Sequence, residues 1–275
     1  MTHEGVGQAA LNYFPCRYGR SKLLFRGPRR KLQGDYVVYL GGIETYGKFI
    51  EMPFPTLVEQ ATGTKSVNLG CVNAGIDAFL TDNCLMDMCA GAKVTVVQVV
   101  GAQNMSNRFY AVHPRRNDRF VRASSLLRSI YSDVDFTDFS FTRHLLSVLA
   151  KTDPDKFNLV KVELKTAWIS RMRSLIRRIG GNVVLLWLAD HPAGDGKSLG
   201  PNDEDPLFVD AAMTGEIAPL ASAFVEVVAK DEERTEAACD LVYGPLERPA
   251  AKKMLGTAVH WRAATELASV IQKFA

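Results

Sequence analysis

A carboxylate and a hydroxyl stand side by side in the segment Gly41–Gly47, as Glu44 and Thr45. A carboxylate can accept a proton or bind a hydroxylated or cationic ligand, and a hydroxyl can attack a carbonyl group when a base activates it. A local hydrogen bond that shapes the turn is the alternative role for Thr45. This segment is therefore the first candidate for a reactive centre, with Glu44 and Thr45 as its candidate catalytic residues.

Two further segments, Gly70–Gly75 and Gly101–Asn104, each follow an apolar run. Glycine N–H groups and asparagine side chains are typical donors to an oxyanion or to a polar substrate. The glycines of the first segment can serve in the same way. The residues expected to bind substrate or an oxyanion are Gly41, Gly42, Gly70, Asn73, Gly75 and Asn104.

Two histidines occupy positions that suit proton transfer. His260 stands at the start of a C-terminal amphipathic segment, and His191 follows Asp190 directly after an apolar run. Histidine changes its charge near neutral pH, so His260 is the third candidate catalytic residue and the Asp190-His191 pair is a candidate for substrate binding or proton transfer. The alternatives are a helix-start histidine packed beside Trp261 and a turn before Pro192.

Elements that alternate between strand and helix position these residues. The sequence predicts strands at 36–40, 66–69, 93–100, 182–189 and 223–229, and it predicts helices at 55–61, 77–89, 159–179, 210–220 and 261–274. This alternation indicates a three-layer α/β/α sandwich with a five-stranded parallel sheet in the flavodoxin-like order 2-1-3-4-5. The candidate segments follow the ends of parallel strands, so we expect them to lie together at the carboxyl edge of the sheet. Loops at this edge bind ligands in folds of this kind.

Two regions depart from this pattern. Residues 1–34 form a basic N-terminal extension that we expect to pack on the body, and residues 35–275 form a single α/β domain with a helical insertion at about 105–157, where helices are predicted at 122–131 and 142–151. The extension has no Asp or Glu between Gly5 and Gly34. It is either a solvated segment or a basic rim that attracts an anionic substrate or polymer. Its cations are Arg17, Arg20, Lys22, Arg26, Arg29, Arg30 and Lys31.

Composition argues against several classes of protein. The net charge of +3 is too small to indicate nucleic-acid binding. No apolar run reaches the ~20 residues of a membrane span and no export signal is evident, so a cytoplasmic protein is expected. Five cysteines without a C-x-x-C pair argue against a disulfide framework or a metal cluster, and no cofactor is expected.

The segment Gly42–Lys48 matches the phosphate-loop pattern G-x-x-x-x-G-K after a strand. Phe49 follows where a magnesium-binding Ser or Thr should stand, and Pro53 and Pro55 interrupt the helix that should hold the phosphate. Glu44 would place a negative charge in the anion site. These differences argue against a phosphate loop. Nucleotide-dependent transfer through this segment therefore ranks third among the functional hypotheses.

The succession of these segments resembles the SGNH (GDSL-like) hydrolase family over residues 36–104 and 182–275. In that family a serine of the first glycine segment attacks an ester, the second and third segments bind the oxyanion, and a late histidine is the base. Gly41 keeps the family glycine, and Thr45 and Gly47 fit the positions beyond the serine. The resemblance further implies that Gly70 or Gly75 and Asn104 bind the oxyanion and that His260 is the base.

Four family positions differ in this chain. Gly42 and Ile43 stand where the family has Asp and the nucleophilic Ser, and Thr257 stands where an Asp orients the histidine; Met105 replaces the Asp that often follows Asn104. An isoleucine cannot attack a carbonyl, so the serine mechanism is not expected here. The resemblance implies a divergent member with a remodelled site.

The leading expectation is an atypical esterase or acyltransferase that acts on a carbohydrate or another polar small molecule, neutral or anionic. The alternative is a non-catalytic ligand-binding protein on the same fold. One distance separates the two: catalysis requires His260 to lie within hydrogen-bond reach of a hydroxyl or carboxylate of Gly41–Gly47.

Overall fold

The computed structural model describes residues 11–194, 205–236 and 240–274. The strands are β1 (Tyr36–Gly41), β2 (Lys65–Gly70), β3 (Val94–Gln98), β4 (Tyr110–His113), β5 (Arg116–Ala123), β6 (Val183–Ala189) and β7 (Ala223–Val228). The α-helices are α1 (Ile43–Tyr46), α2 (Phe54–Thr62), α3 (Ile76–Leu80), α4 (Asn83–Ala90), α5 (Ser125–Ile130), α6 (Thr142–Thr152), α7 (Pro154–Ile179), α8 (Ala211–Ile217), α9 (Asp231–Glu236), α10 (Arg248–Ala251) and α11 (Thr257–Ile271). In these ranges no helix is both long and apolar enough to cross a membrane.

Five strands form a parallel sheet in the order β2-β1-β3-β6-β7. β1 pairs with β3 through Val37 and Val94, and β3 pairs with β6 through Thr95 and Val183. The strands β1, β3 and β6 are buried along their whole length, as their apolar runs indicate for the centre of a parallel sheet. The predicted fold class and strand order are thus confirmed.

Alternate residues of β1 face two separate hydrophobic cores, because successive side chains of a strand point to opposite faces. Val38 and Leu40 belong to the larger core, which also contains Trp168 of α7. Val37 and Tyr39 belong to the smaller core, formed with α2 and α11. The sheet is therefore the middle of three layers.

The prediction of a single helix at 77–89 is wrong, because the structure contains two helices there, α3 and α4. Asp82 lies between them, and its Oδ1 accepts hydrogen bonds from Cys84 N at 3.0 Å and Leu85 N at 3.3 Å. An aspartate at this point caps a new helix more readily than it continues an old one.

The predicted start of the helix at 122–131 is also wrong, because the helix begins three residues later. The strand β5 continues to Ala123, and α5 begins only after Ser124, whose Oγ accepts from Leu127 N at 3.2 Å. β5 pairs antiparallel with β4. The insertion between β3 and β6 therefore contains an antiparallel pair as well as helices.

The N-terminal segment is fastened to the loop after α1 by Arg26, which is buried. Its Nη1 donates to the carbonyls of Gly47 at 2.5 Å and Ile50 at 2.7 Å, and its Nη2 donates to Glu51 O at 2.7 Å. Burial lowers the pKa of Arg26. The guanidinium is held by backbone oxygens and is not available to a ligand.

Asp210 joins α8 to α7 through a buried carboxylate. Its Oδ1 accepts from Met213 N at 2.9 Å, and its Oδ2 accepts from Lys165 Nζ at 2.6 Å. Burial raises the pKa of this carboxyl group, but Lys165 and the Met213 N–H outweigh burial and hold the pKa of Asp210 below its ordinary value. The ion pair therefore stabilises the fold when the carboxyl is ionised.

We expect Asp210→Asn to lower the free energy of unfolding by about 1 kcal/mol at pH 7, since asparagine keeps the helix cap but loses the charge. A lowered folded-state pKa gives stability that is present above the unfolded pKa of about 4 and is lost as the pH falls through the folded value. The difference between wild type and variant, measured by urea unfolding, should therefore shrink below about pH 4. Glu216→Gln, in a half-exposed pair with Arg173, is the control with a smaller effect. A difference that is independent of pH would contradict this role.

Candidate functional site

The candidate site lies where β1 and β2 end side by side, with Gly41 opposite Gly70. The helix α1 begins directly after Gly42 and packs on the end of β2. A Cβ on Gly70 would lie 2.3 Å from Tyr46 N, so the glycine permits this close contact. The short helix thereby presents Glu44 at the carboxyl edge of the sheet.

Glu44 and His260 lie in contact, although they are far apart in sequence. His260 Nε2 lies 3.4 Å from Glu44 Oε2. The imidazole is fully buried, whereas the glutamate side chain is 12% exposed and reaches solvent. The structure thus places His260 within reach of a carboxylate of Gly41–Gly47, the arrangement that catalysis requires.

The second ring nitrogen fixes the protonation of this histidine. His260 Nδ1 accepts a hydrogen bond from Phe54 N at 3.2 Å. A backbone N–H can only donate, so Nδ1 carries a lone pair and the proton resides on Nε2. His260 is therefore neutral and donates toward Glu44. In this arrangement Glu44, not His260, is the group able to accept a proton.

Thr45 points away from solvent. It is fully buried, and its Oγ1 donates to Gln98 Oε1 at 2.6 Å. The same oxygen accepts from Gly42 N at 3.1 Å and Thr45 N at 3.2 Å. The hydroxyl is thus bonded to a side chain of β3 and not to a group of its own turn, and Gln98 is a residue that the sequence analysis missed. A glutamine at the end of an otherwise apolar strand is the signal that could have revealed it.

The N–H groups expected at the oxyanion are bonded within the protein. Gly70 N donates to Asn68 Oδ1 at 2.9 Å, and Gly75 N donates to Asn117 Oδ1 at 3.0 Å. Asn117, which is fully buried in the insertion, also accepts from Ala78 N. These backbone donors shape the loops and are not directed at a ligand.

The amide of Asn104 is also occupied. Its Oδ1 accepts from Thr142 Oγ1 at 2.8 Å, and its Nδ2 donates to Asn73 O at 3.4 Å. The Asn73 side chain donates to Asp118 at 3.3 Å. Asn104 and Asn73 thus connect the second and third loops to the insertion that covers them.

Asp190 and His191 contact each other at the end of β6, two positions from β1 in the sheet order. His191 Nδ1 lies 2.7 Å from Asp190 Oδ1, and Arg234 approaches the same carboxylate at 3.7 Å. The backbone oxygen of His191 accepts from Trp187 Nε1 at 2.8 Å. This pair is partly exposed at the same edge but belongs to a different loop from Glu44.

Thr257 stands where the resemblance to SGNH hydrolases implies a histidine-orienting Asp, and its hydroxyl is bonded to another residue. Thr257 Oγ1 donates to Asp240 Oδ2 at 3.1 Å, and the Phe54 N–H takes the place of an orienting carboxylate. No sequence signal could have revealed the Phe54 N–H, because every residue except proline carries such a group.

The phosphate-loop match has a different geometry from a nucleotide site. The N–H groups of Gly42 and Thr45 are bonded to Gln98, and Lys48 Nζ lies 3.7 Å from Glu247 Oε1. The lysine also lies over the Phe49 ring, 4.5 Å from its centre. The groups that would cradle a phosphate are therefore occupied.

One family model, described as a domain of unknown function (DUF6473), matches residues 1–275. No curated protein matches the sequence. Among solved structures, the chain is similar to a lipase from a goat rumen metagenome, with 12% identity, a TM-score of 0.42 and coverage of 86% of this chain and 97% of that one. It is similar to a carbohydrate acetylesterase family member from Sinorhizobium meliloti, with 9% identity, a TM-score of 0.41 and coverage of 88% and 99%.

An acetyl xylan esterase from Butyrivibrio proteoclasticus is similar at 10% identity and a TM-score of 0.43, with coverage of 91% of this chain and 66% of that one. At these identities and TM-scores the likeness carries no argument about the activity of this chain.

Proposed function

The chain belongs to the DUF6473 family, and we propose that its site at the carboxyl end of β1 binds a hydroxyl-rich ligand of the carbohydrate class through the Glu44 carboxylate. The observation that carries this proposal is the pair of hydrogen bonds at His260. Because its Nδ1 accepts from Phe54 N, its Nε2 proton is directed at Glu44 and orients the carboxylate. A carboxylate fixed in this way accepts hydrogen bonds from the hydroxyls of a ligand.

The occupied donors favour binding over the serine chemistry of SGNH hydrolases. Ile43 stands in the nucleophile's position, and the Thr45 hydroxyl is buried against Gln98. The donors on Gly70 and Asn104 are bonded to protein oxygens. An acyl-enzyme route would need both a nucleophile and free donors to the oxyanion.

A second candidate is ester hydrolysis with Glu44 as general base, favoured by the contact between Glu44 and His260 at the partly exposed carboxylate. In that reaction Glu44 takes a proton from water, the hydroxide adds to the acyl carbon, and the ester C–O bond breaks. The departing alkoxide takes the proton back from Glu44. The products are a carboxylic acid and an alcohol, with no covalent intermediate.

The first test compares ligand binding by wild type and Glu44→Gln. Across a panel of neutral oligosaccharides, we expect one class to raise the Tm of the wild type, because a ligand at 100 times its Kd stabilises by about 2.7 kcal/mol. In Glu44→Gln the shift should be lost, since one carboxylate oxygen becomes an amide donor. Glu266→Gln, on the exposed face of α11, is the matched control that keeps it.

The same variants separate the two candidates. Turnover of acetylated saccharides by wild type and Glu266→Gln, with at least about a hundredfold loss in Glu44→Gln, would establish the general-base reaction. Binding without turnover would establish the non-catalytic site. A Glu44→Gln variant that binds and turns over every ligand as the wild type does would exclude both.

A further inference from the structure

We propose that the chain has a second binding site, for an extended anionic carbohydrate whose carboxylate or sulfate groups are spaced along the polymer. The site is the basic trough, defined as the surface between the N-terminal segment 18–36, the helices α3 and α4, and the turn at 114–115 that joins β4 to β5. Two clefts, of about 870 Å³ and about 660 Å³, make up this trough. They share Gly19, Leu32, Cys84 and Met88 in their linings, so they form one continuous surface.

Five exposed cations line the basic trough without an ion pair among the described residues. The larger cleft has Arg20, Lys22 and Arg115, and the smaller one has Arg29 and Lys31. Arg29 has a ring contact with Tyr18, but no carboxylate. Cations distributed over both clefts suit several separate anionic groups better than a single one.

Two other cations of the same segment show what a structural role looks like here. Arg26 is buried and bonded to backbone oxygens, and Arg30 forms two hydrogen bonds to Glu59 at 2.9 and 3.0 Å. The trough cations have neither kind of partner. Their charge is therefore available to a ligand.

The acidic residues of the trough favour a ligand that also carries hydroxyls. Asp82 is occupied, since it accepts from Ser21 Oγ at 2.6 Å and caps α4. Asp87 is exposed on the wall of the larger cleft. A carboxylate there accepts hydrogen bonds from hydroxyl groups. A sugar polymer that carries both anionic groups and hydroxyls suits the cations and Asp87 together.

The lining also argues against the other anionic polymers. Single-stranded nucleic acid binds by stacking bases on exposed aromatic rings. Tyr18 and Tyr36, the aromatic residues of the trough, are only 3% and 6% exposed. A flat membrane surface would not follow a concave trough whose cations lie on two separate segments, the N-terminal one and the turn between β4 and β5.

The basic trough is separate from the site proposed above. Tyr36 begins β1, whereas Gly41, next to the Glu44 site, ends it. The two sites therefore lie toward opposite ends of the same strand, and the second one does not depend on the first. A Glu44→Gln variant should bind at the trough as the wild type does.

The test uses fluorescently labelled oligogalacturonate and anisotropy at 50 and 200 mM salt. We expect the wild type to bind and to weaken as salt rises, because fixed charges are screened. The double variant Arg20→Gln/Lys22→Gln should lose at least about tenfold in affinity and show a shallower salt dependence. Lys252→Gln/Lys253→Gln, which removes two exposed lysines outside the trough, is the matched control with wild-type affinity.

Three results would overturn the proposal. The first is no binding of oligogalacturonate by the wild type, or equal binding of a neutral dextran. The second is unchanged affinity in Arg20→Gln/Lys22→Gln. The third is tighter binding of a single-stranded oligonucleotide of equal charge, or of phosphatidylserine vesicles, than of oligogalacturonate.

Discussion

Gln98→Leu is expected to lower the free energy of unfolding by about 4 kcal/mol, because three buried donors would lose their acceptor and each unsatisfied donor costs about 1–3 kcal/mol. These donors are Gly42 N, Thr45 N and Thr45 Oγ1, all within 3.2 Å of Gln98 Oε1. Leucine is similar in size but cannot accept a hydrogen bond. Urea unfolding measures the loss directly.

Two further substitutions show whether the acceptor is the cause. Gln98→Glu retains an oxygen in the same place and should recover part of the loss, although it adds a buried charge. Gln60→Leu makes the same change on the exposed face of α2 and should stay within about 0.5 kcal/mol of wild type. A Gln98→Leu variant as stable as Gln60→Leu would contradict the role given to this oxygen.

Gly75→Ala is expected to lower the free energy of unfolding by at least about 3 kcal/mol, as overpacking against backbone does. The added Cβ would lie 1.5 Å from the backbone oxygen of Asn104 and 2.6 Å from its carbonyl carbon. Neither atom belongs to a flexible side chain, so the second and third loops must separate. The hydrogen bond from Gly75 N to Asn117 would be strained by the same shift.

Gly181→Ala is the matched control, because a Cβ there would meet no atom within 4 Å and the residue does not have a positive φ. Its stability, measured by urea unfolding under the same conditions, should remain close to that of the wild type. If Gly75→Ala were equally stable, the close approach of the two loops would not hold in solution.

The sheet could be predicted because the residues that determine each strand lie within a short stretch of sequence. The valine-rich runs of β1 and β3 are buried on both faces, and the turn residues between elements mark where each one ends. The errors arose where a polar side chain competed with a periodic pattern. Asp82 and Ser124 each cap a new helix at a point where the apolar spacing alone predicts continuity.

The candidate site was harder to predict than the fold. The contact between Glu44 and His260 joins residues that the sequence analysis had placed in one site. The protonation of His260, however, depends on Phe54 N, a backbone group with no sequence signature. Similarly, the hydrogen bond made by Gly75 N depends on Asn117. This residue lies in the insertion, where the alternation of strands and helices was weakest in the sequence.

The basic run of the N-terminal segment supported two interpretations, a solvated surface and a rim for anions. The structure divides the run by environment: Arg26 is buried, Arg30 is paired, and Arg20 and Lys22 line a cleft. Which cation takes which environment depends on long-range contacts. Charge counting along the sequence does not contain that information.

The order of strands in the sheet also bears on how the chain assembles. β1, β2 and β3 are joined by short crossovers, whereas β6, the neighbour of β3, follows only after the whole insertion and α7. Contacts across such a separation form slowly, because the intervening chain must first close a long loop. Until β6 arrives, the valine-rich β3 is an exposed edge strand, which is a template for aggregation. The run that makes β3 suited to the centre of the finished sheet therefore makes the nascent chain dependent on rapid completion of its C-terminal half.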